Sequence, residues 1–167
     1  WTMCDGLSIG INNNANCSQS SCSNKLKEIA SFGPVKMGRA VFSQCKTPIK
    51  MPLNDVPNAE SLEYMDRYFD SALVSGPIDH WDVSHALSFD RIFEKSDLKT
   101  SIVHWDTSNV RAMYGAFLSM KSDVDVSLWD VGNVVVMSSM FNGATSFNSD
   151  ISGWDVSRVT NMSSMFN

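Results

Sequence analysis

The sequence is short of positive charge: 13 Lys and Arg stand against 18 Asp and Glu, a formal net charge of −5. Nucleic acid and anionic lipid both require a basic footprint, so neither is expected as a main partner. Long apolar runs are also missing. The longest, Val134-Val135-Val136-Met137, falls far short of the roughly 18 residues of a membrane span, so no transmembrane segment is expected. Trp1-Thr2-Met3-Cys4-Asp5 lacks the charged start and apolar middle of a signal peptide, as a trimmed mature chain also would. There is no glycine-rich phosphate loop and no G-x-S-x-G elbow. No catalytic residue, resident metal or cofactor is expected.

Cysteine is absent after residue 45. The four present, Cys4, Cys17, Cys22 and Cys45, crowd into an Asn- and Ser-rich segment and read as two disulfides. Three pairings are open. Zinc is the rival reading, but the tightest spacing is C-x4-C and the first His is residue 80. Free thiols are the third. Asn16 and Asn161 head N-x-S/T tripeptides and are candidate glycosylation sites.

What the sequence does have is a repeat. Trp81, Trp105, Trp129 and Trp154 are spaced 24, 24 and 25 residues, and each is followed by Asp: Asp82, Asp106, Asp130 and Asp155. Ile78, Ile102, Val126 and Ile151 precede the tryptophans by three residues. Phe89, Met113, Met137 and Met162 follow by eight, and Phe93, Phe117, Phe141 and Phe166 by twelve, all in strict register with their Trp. Leu62, Met65 and Phe69 carry the same phases one unit earlier, with Pro57 in place of the Trp.

The spacing Ile-x-x-Trp-x-Val predicts a strand with Trp and Val inward and Asp outward. Ser157 then reads as a helix N-cap, and Val159, Met162 and Phe166 follow at helical spacing. Gly143 lies where a left-handed C-cap belongs. The expectation is an α/β solenoid: a leucine-rich-repeat-like right-handed coil with a parallel sheet on one face and short helices on the other. One such unit cannot bury its own apolar face, whereas stacked units share a core.

Residues 147–166, Phe-Asn-Ser-Asp-Ile-Ser-Gly-Trp-Asp-Val-Ser-Arg-Val-Thr-Asn-Met-Ser-Ser-Met-Phe, resemble the BspA-like leucine-rich repeats. More narrowly, they are similar to the variant of mycoplasma surface lipoproteins with the signature W-D-V-S-x-V-x-x-M-x-x-M-F. The likeness is close over 129–167, good over 105–128, weaker over 57–104 and absent from 1–56. It implies a cell-surface or secreted module for adhesion or protein contact, without a shared active site.

The units are expected at 57–80, 81–104, 105–128, 129–153 and an incomplete 154–167. Residues 1–56 are expected to form a disulfide-stapled N-terminal cap, with a short helix from Asn24 to a stop at Gly33-Pro34. The last unit breaks off without a return segment, so an uncapped edge there is expected to be continued or to dock on a larger assembly.

Stacking would align Asp82, Asp106, Asp130 and Asp155 on the outer sheet face as binding candidates. Each carboxylate either accepts N–H groups of the turn after it or takes a cation. His80 and His104 share an outward phase beside Asp82 and Asp106, either as a surface pair or as a metal cluster. The methionine and tryptophan series read as core. Three functions follow. The first is a non-catalytic surface or secreted module that binds a protein, or a glycan. The second is a scaffold subunit of a filament, envelope or membrane-protein complex, in an organellar lumen or another assembly. The third is a hydrolase or metal enzyme built on His80, Asp82, His104 and Asp106.

Overall fold

The computed structural model describes residues 29, 31, 32, 37, 39–46, 48 and 50–167. Backbone hydrogen bonds between units, rather than within them, organise the chain. Single-residue parallel bridges join Tyr64 to Ser88, Ser88 to Ala112, Ala112 to Val136, and Val136 to Asn161. Each partner lies one repeat further on, so successive units run side by side in the same direction. Beyond each bridge, alternate residues continue the ladder. Arg67, Phe69 and Ser71 donate N–H groups to the carbonyls of Asp90, Ile92 and Glu94 at 2.9, 2.8 and 2.6 Å. Arg91, Phe93 and Lys95 donate to Tyr114, Ala116 and Leu118, and Gly115, Phe117 and Ser119 to Ser138, Met140 and Asn142. The pattern also reaches back to Ala40, Phe42 and Gln44, which donate to Asp66, Tyr68 and Asp70. Two parallel strands, β1 (Leu73–Val74) and β2 (Asp97–Leu98), add a short second ladder.

Within a unit the chain advances by turns. N–H groups of Tyr68, Asp70 and Ala72 donate to the carbonyls of Met65, Arg67 and Phe69, three turns in succession. Such a run places a left-handed residue at every fourth position. Arg67 and Ser71 have φ of 55° and 57°, Arg91 and Lys95 57° and 54°, Gly115 and Ser119 57° and 53°, and Ser139 and Gly143 55° and 67°.

This arrangement corrects the expected α/β solenoid of strand-plus-helix units. Among the described residues there is no α-helix. There is one 3-10 helix, Ala59–Leu62, capped by the Asn58 side chain, which accepts the Glu60 N–H at 2.9 Å. The two named strands have two residues each. A two-turn helix would leave its first four N–H and last four C=O groups without partners, and its nucleation is unfavourable. Here the adjoining unit supplies those partners. The stretch around each Trp is not a strand either. Trp81 N–H donates to Ile78 O at 3.0 Å and Ala86 N–H to Val83 O at 2.8 Å, so Trp81 stands between two turns, and the same bonds recur at Trp105, Trp129 and Trp154.

One end of the expected disulfide staple lies among the described residues: Cys45 is disulfide-bonded. Cys4, Cys17 and Cys22 lie outside them, and Cys45 is buried. Most of the expected helix after Asn24 lies outside as well. Ile29, Ser31 and Phe32 are described and belong to no helix.

The core is a set of columns running across the units. Phe42, Phe69, Phe93, Phe117, Phe141 and Phe166 stack in order, with ring centroids 5.3, 5.3, 5.7, 5.4 and 5.5 Å apart and planes within 13°. Trp105 and Trp129 stack at 6.3 Å. Their indole N–H groups donate to the carbonyls of Ile78 and Ile102 at 2.8 and 2.9 Å, which ties each unit to its predecessor. Among the described residues no helix is long and apolar enough to cross a membrane.

Candidate functional site

The predicted Asp row lies at turns, with its side chains exposed. Asp82 Oδ1 accepts the Ser84 N–H at 3.1 Å and the Ser84 hydroxyl at 2.6 Å, and Asp106 does the same with Ser108 at 3.1 and 2.6 Å. Asp130 accepts the Gly132 N–H at 2.9 Å and Asp155 the Ser157 N–H at 3.0 Å. These bonds close turns of the Asx kind, in which the carboxylate stands in for a backbone acceptor. The Ser84 and Ser157 bonds hold the Asp82 and Asp155 carboxyls below their ordinary range.

The two histidines do not converge with these carboxylates. His104 Nδ1 lies 2.6 Å from Asp79 Oδ2, and the His104 N–H donates to Asp79 Oδ1 at 3.0 Å. His80 is exposed. Among the described residues no group of three His, Cys, Asp or Glu side chains could hold a metal ion. Asn161 is exposed, and its side-chain oxygen accepts the Ser163 N–H at 3.0 Å. Asn16 lies outside the described residues.

The structure instead gathers a row of arginines around a groove of about 310 Å³, lined by Arg39, Asp66, Arg67, Asp90, Arg91 and Tyr114. The left-handed backbone at Arg67 and Arg91 turns both side chains out at the same phase of successive units. Arg39 Nη1 pairs with Asp66 Oδ2 at 3.2 Å, and its guanidinium lies over the Tyr64 ring at 5.1 Å. Arg67 Nη1 reaches Asp70 Oδ2 at 3.1 Å and Glu94 Oε2 at 3.4 Å. Arg91 Nη1 meets the same Glu94 oxygen at 3.0 Å, while its Nη2 donates to the Tyr114 hydroxyl at 3.0 Å and its guanidinium sits 4.9 Å from that ring.

Glu94 is the hub. Its side chain is only 5% exposed. Burial pushes its carboxyl up, but the hydrogen bonds from Lys95 and Arg91 outweigh that and hold it below the ordinary range. Asp90 goes the other way. Burial raises its carboxyl, the Tyr114 N–H at 2.8 Å opposes, and the nearby Asp66 charge adds to the rise. Arginine forks fixed by carboxylates and tyrosine rings are pre-organised for polar recognition, because little side-chain freedom remains to be lost on binding.

Sequence reasoning passed over these arginines. The signal was present: Arg67 and Arg91 are one repeat apart, two residues after Met65 and Phe89. Arg39 and the tyrosines carry no such periodicity.

Two overlapping stretches, residues 36–122 and 61–167, match one family, described as "Mycoplasma protein of unknown function, DUF285". Two placements shifted by 25 residues at their start are what a chain with a repeat of that length allows. No curated protein and no solved structure matches the chain.

Proposed function

This chain belongs to that family, and from that premise we propose that it is a non-catalytic binding module, carried on a cell surface or secreted, that engages a protein partner through its arginine face. The observation that carries the reading is the arginine row itself. Arg39, Arg67 and Arg91 come from three successive rungs, and each is held by a carboxylate. Arg and Tyr are the side chains that dominate binding energy at protein contacts, and a rigid support lets them act without an ordering cost. The likeness of residues 147–166 to the BspA-like repeats supports a surface setting. The net charge of −5 does not suit a nucleic-acid partner.

A photo-reactive phenylalanine analogue at Tyr64, which is 42% exposed and beside Arg39, tests the reading in the cells that make the protein. One discrete crosslinked partner is expected. It should be lost when Arg67→Ala and Arg91→Ala are combined, with the melting temperature of the variant measured alongside. Crosslinks confined to one large homopolymeric assembly would favour a scaffold role. Absence of any crosslink would reject the arginine face.

A further inference from the structure

A second groove, of about 670 Å³, is lined by Lys46, Ser71, Lys95, Asp97, Ser119 and Lys121. Its volume falls within the roughly 300–1,000 Å³ of typical ligand sites. Ser71, Lys95 and Ser119 occupy one left-handed phase of three successive units, with φ of 57°, 54° and 53°. The same backbone device that turns out the arginines therefore turns out these side chains.

The charge balance of this groove differs from that of the arginine face. Asp97 is neutralised by Lys99 at 2.8 Å. Lys95 Nζ meets Glu94 Oε1 at 3.1 Å, but Glu94 also serves Arg67 at 3.4 Å and Arg91 at 3.0 Å. Lys46 and Lys121 are exposed and form no ion pair among the described residues. The lining groups and their ion-pair partners thus hold four lysines, 46, 95, 99 and 121, against two carboxylates, Asp97 and Glu94. A positive groove on a chain of net charge −5 focuses an anionic ligand there, while the surrounding surface repels it.

We propose that this groove takes an acidic peptide segment of the protein partner, an assignment that deepens the binding-module reading and rests on it. Lysine ammonium groups are mobile point charges that meet carboxylates without demanding the planar fork that phosphate or sulfate recognition by Arg exploits. Ser119 adds a hydroxyl for a backbone hydrogen bond, Ser71, whose hydroxyl donates to Asp70 Oδ1 at 2.8 Å, adds an acceptor, and Leu73 adds a small apolar contact. No aromatic ring is among the described residues lining the groove, so it offers no stacking platform for a sugar.

The test is fluorescence anisotropy with a labelled decapeptide of alternating Glu and Ser, titrated with the full chain. Saturable binding is expected, weakening on the order of tenfold between about 50 mM and about 500 mM salt as the charges are screened. Combining Lys46→Gln with Lys121→Gln should weaken it by about tenfold or more, with an unchanged melting curve, while Arg158→Gln leaves it intact. No saturable binding, or binding that the double lysine variant retains, overturns the proposal. So does a sulfated oligosaccharide that binds more tightly than the peptide and is lost in the same variant. Peptide failure with a retained crosslink at Tyr64 removes only the acidic-peptide assignment, whereas loss of the crosslinked partner removes the binding-module reading itself.

Discussion

At the scale of single residues, the backbone carries the strain and the buried hydroxyl carries a cost. Among the described residues, nine other than glycine have positive φ, including Arg67, Arg91 and Lys95. A left-handed residue with a Cβ costs roughly 1–2 kcal/mol. The interunit hydrogen bonds that this backbone makes are what offset it. Gly115 occupies the same phase at φ +57°, and a Cβ there would meet Arg91 Cγ at 3.4 Å, an ordinary contact. Gly115→Ala should therefore cost about 1 kcal/mol through the backbone alone, read as a lower urea midpoint with an unchanged slope. Tyr68 is the opposite case. Its hydroxyl is buried with no hydrogen-bond partner among the described residues. Removing an unsatisfied buried group while keeping the ring relieves its desolvation cost, so Tyr68→Phe should gain on the order of 1 kcal/mol in the same titration. A loss of stability would mean that the hydroxyl has a partner beyond the described residues.

At the scale of elements, the phenylalanine column is the axis of the fold, and its members are not equivalent. Phe117 is fully buried between Phe93 and Phe141, with both planes within 7° of its own. Phe166 stacks on Phe141 but is 60% exposed. Phe117→Ala should cost about 3–5 kcal/mol, the range for emptying a packed aromatic site, while Phe166→Ala should cost under about 1 kcal/mol. Equal effects in thermal melts would show that the column does not set the stability. The tryptophans act between elements in a different way. Trp129 donates from Nε1 to Ile102 O at 2.9 Å, so it contributes a directed bond as well as area. Trp129→Phe keeps most of the area and removes one of two donors to that carbonyl, which retains the Trp105 N–H at 3.2 Å, so the lost bond should cost about 1 kcal/mol beyond the lost volume.

At the scale of the whole molecule, the carboxylates set the response to acid. Hydrogen bonds from the serine two residues on hold Asp82, Asp125, Asp150 and Asp155 below the ordinary range. Burial pushes Asp79 and Glu94 up, but the bonds with His104, and with Lys95 and Arg91, outweigh it and both end low. A carboxyl with a depressed folded value binds fewer protons folded than unfolded. Its stabilisation is present above the ordinary value of about 4 and is lost as pH falls through the folded value. Asp90, raised mainly by burial, has the reverse sign: its ionisation weakens the fold as pH rises through its folded value. With six of the described carboxyls low and one high, the melting temperature should fall as pH drops from about 5 to about 3. Asp90→Asn should raise it at neutral pH and not at pH 3, which scanning calorimetry at the two pH values can read.

The repeat length, the inward phases and the turn chemistry were legible in the sequence, because each depends on residues close together in the chain. Ile78, Trp81, Val83 and Phe93 are buried as their spacing required, and Gly143 has the positive φ expected of it, although no helix ends there. The choice between helix and turn was not legible. Apolar residues at spacings of three and four fit a helical face, and they fit a run of turns equally well. What separates the two is where the N–H groups of Arg67, Phe69 and Ser71 find acceptors. Those acceptors, Asp90, Ile92 and Glu94, stand one whole unit away. The arginine face and the lysine groove were hidden for the same reason. Arg67 and Glu94 are far apart in sequence, as are Lys46 and Lys121, and only the stacking of units brings the first two into an ion pair and the second two to one groove.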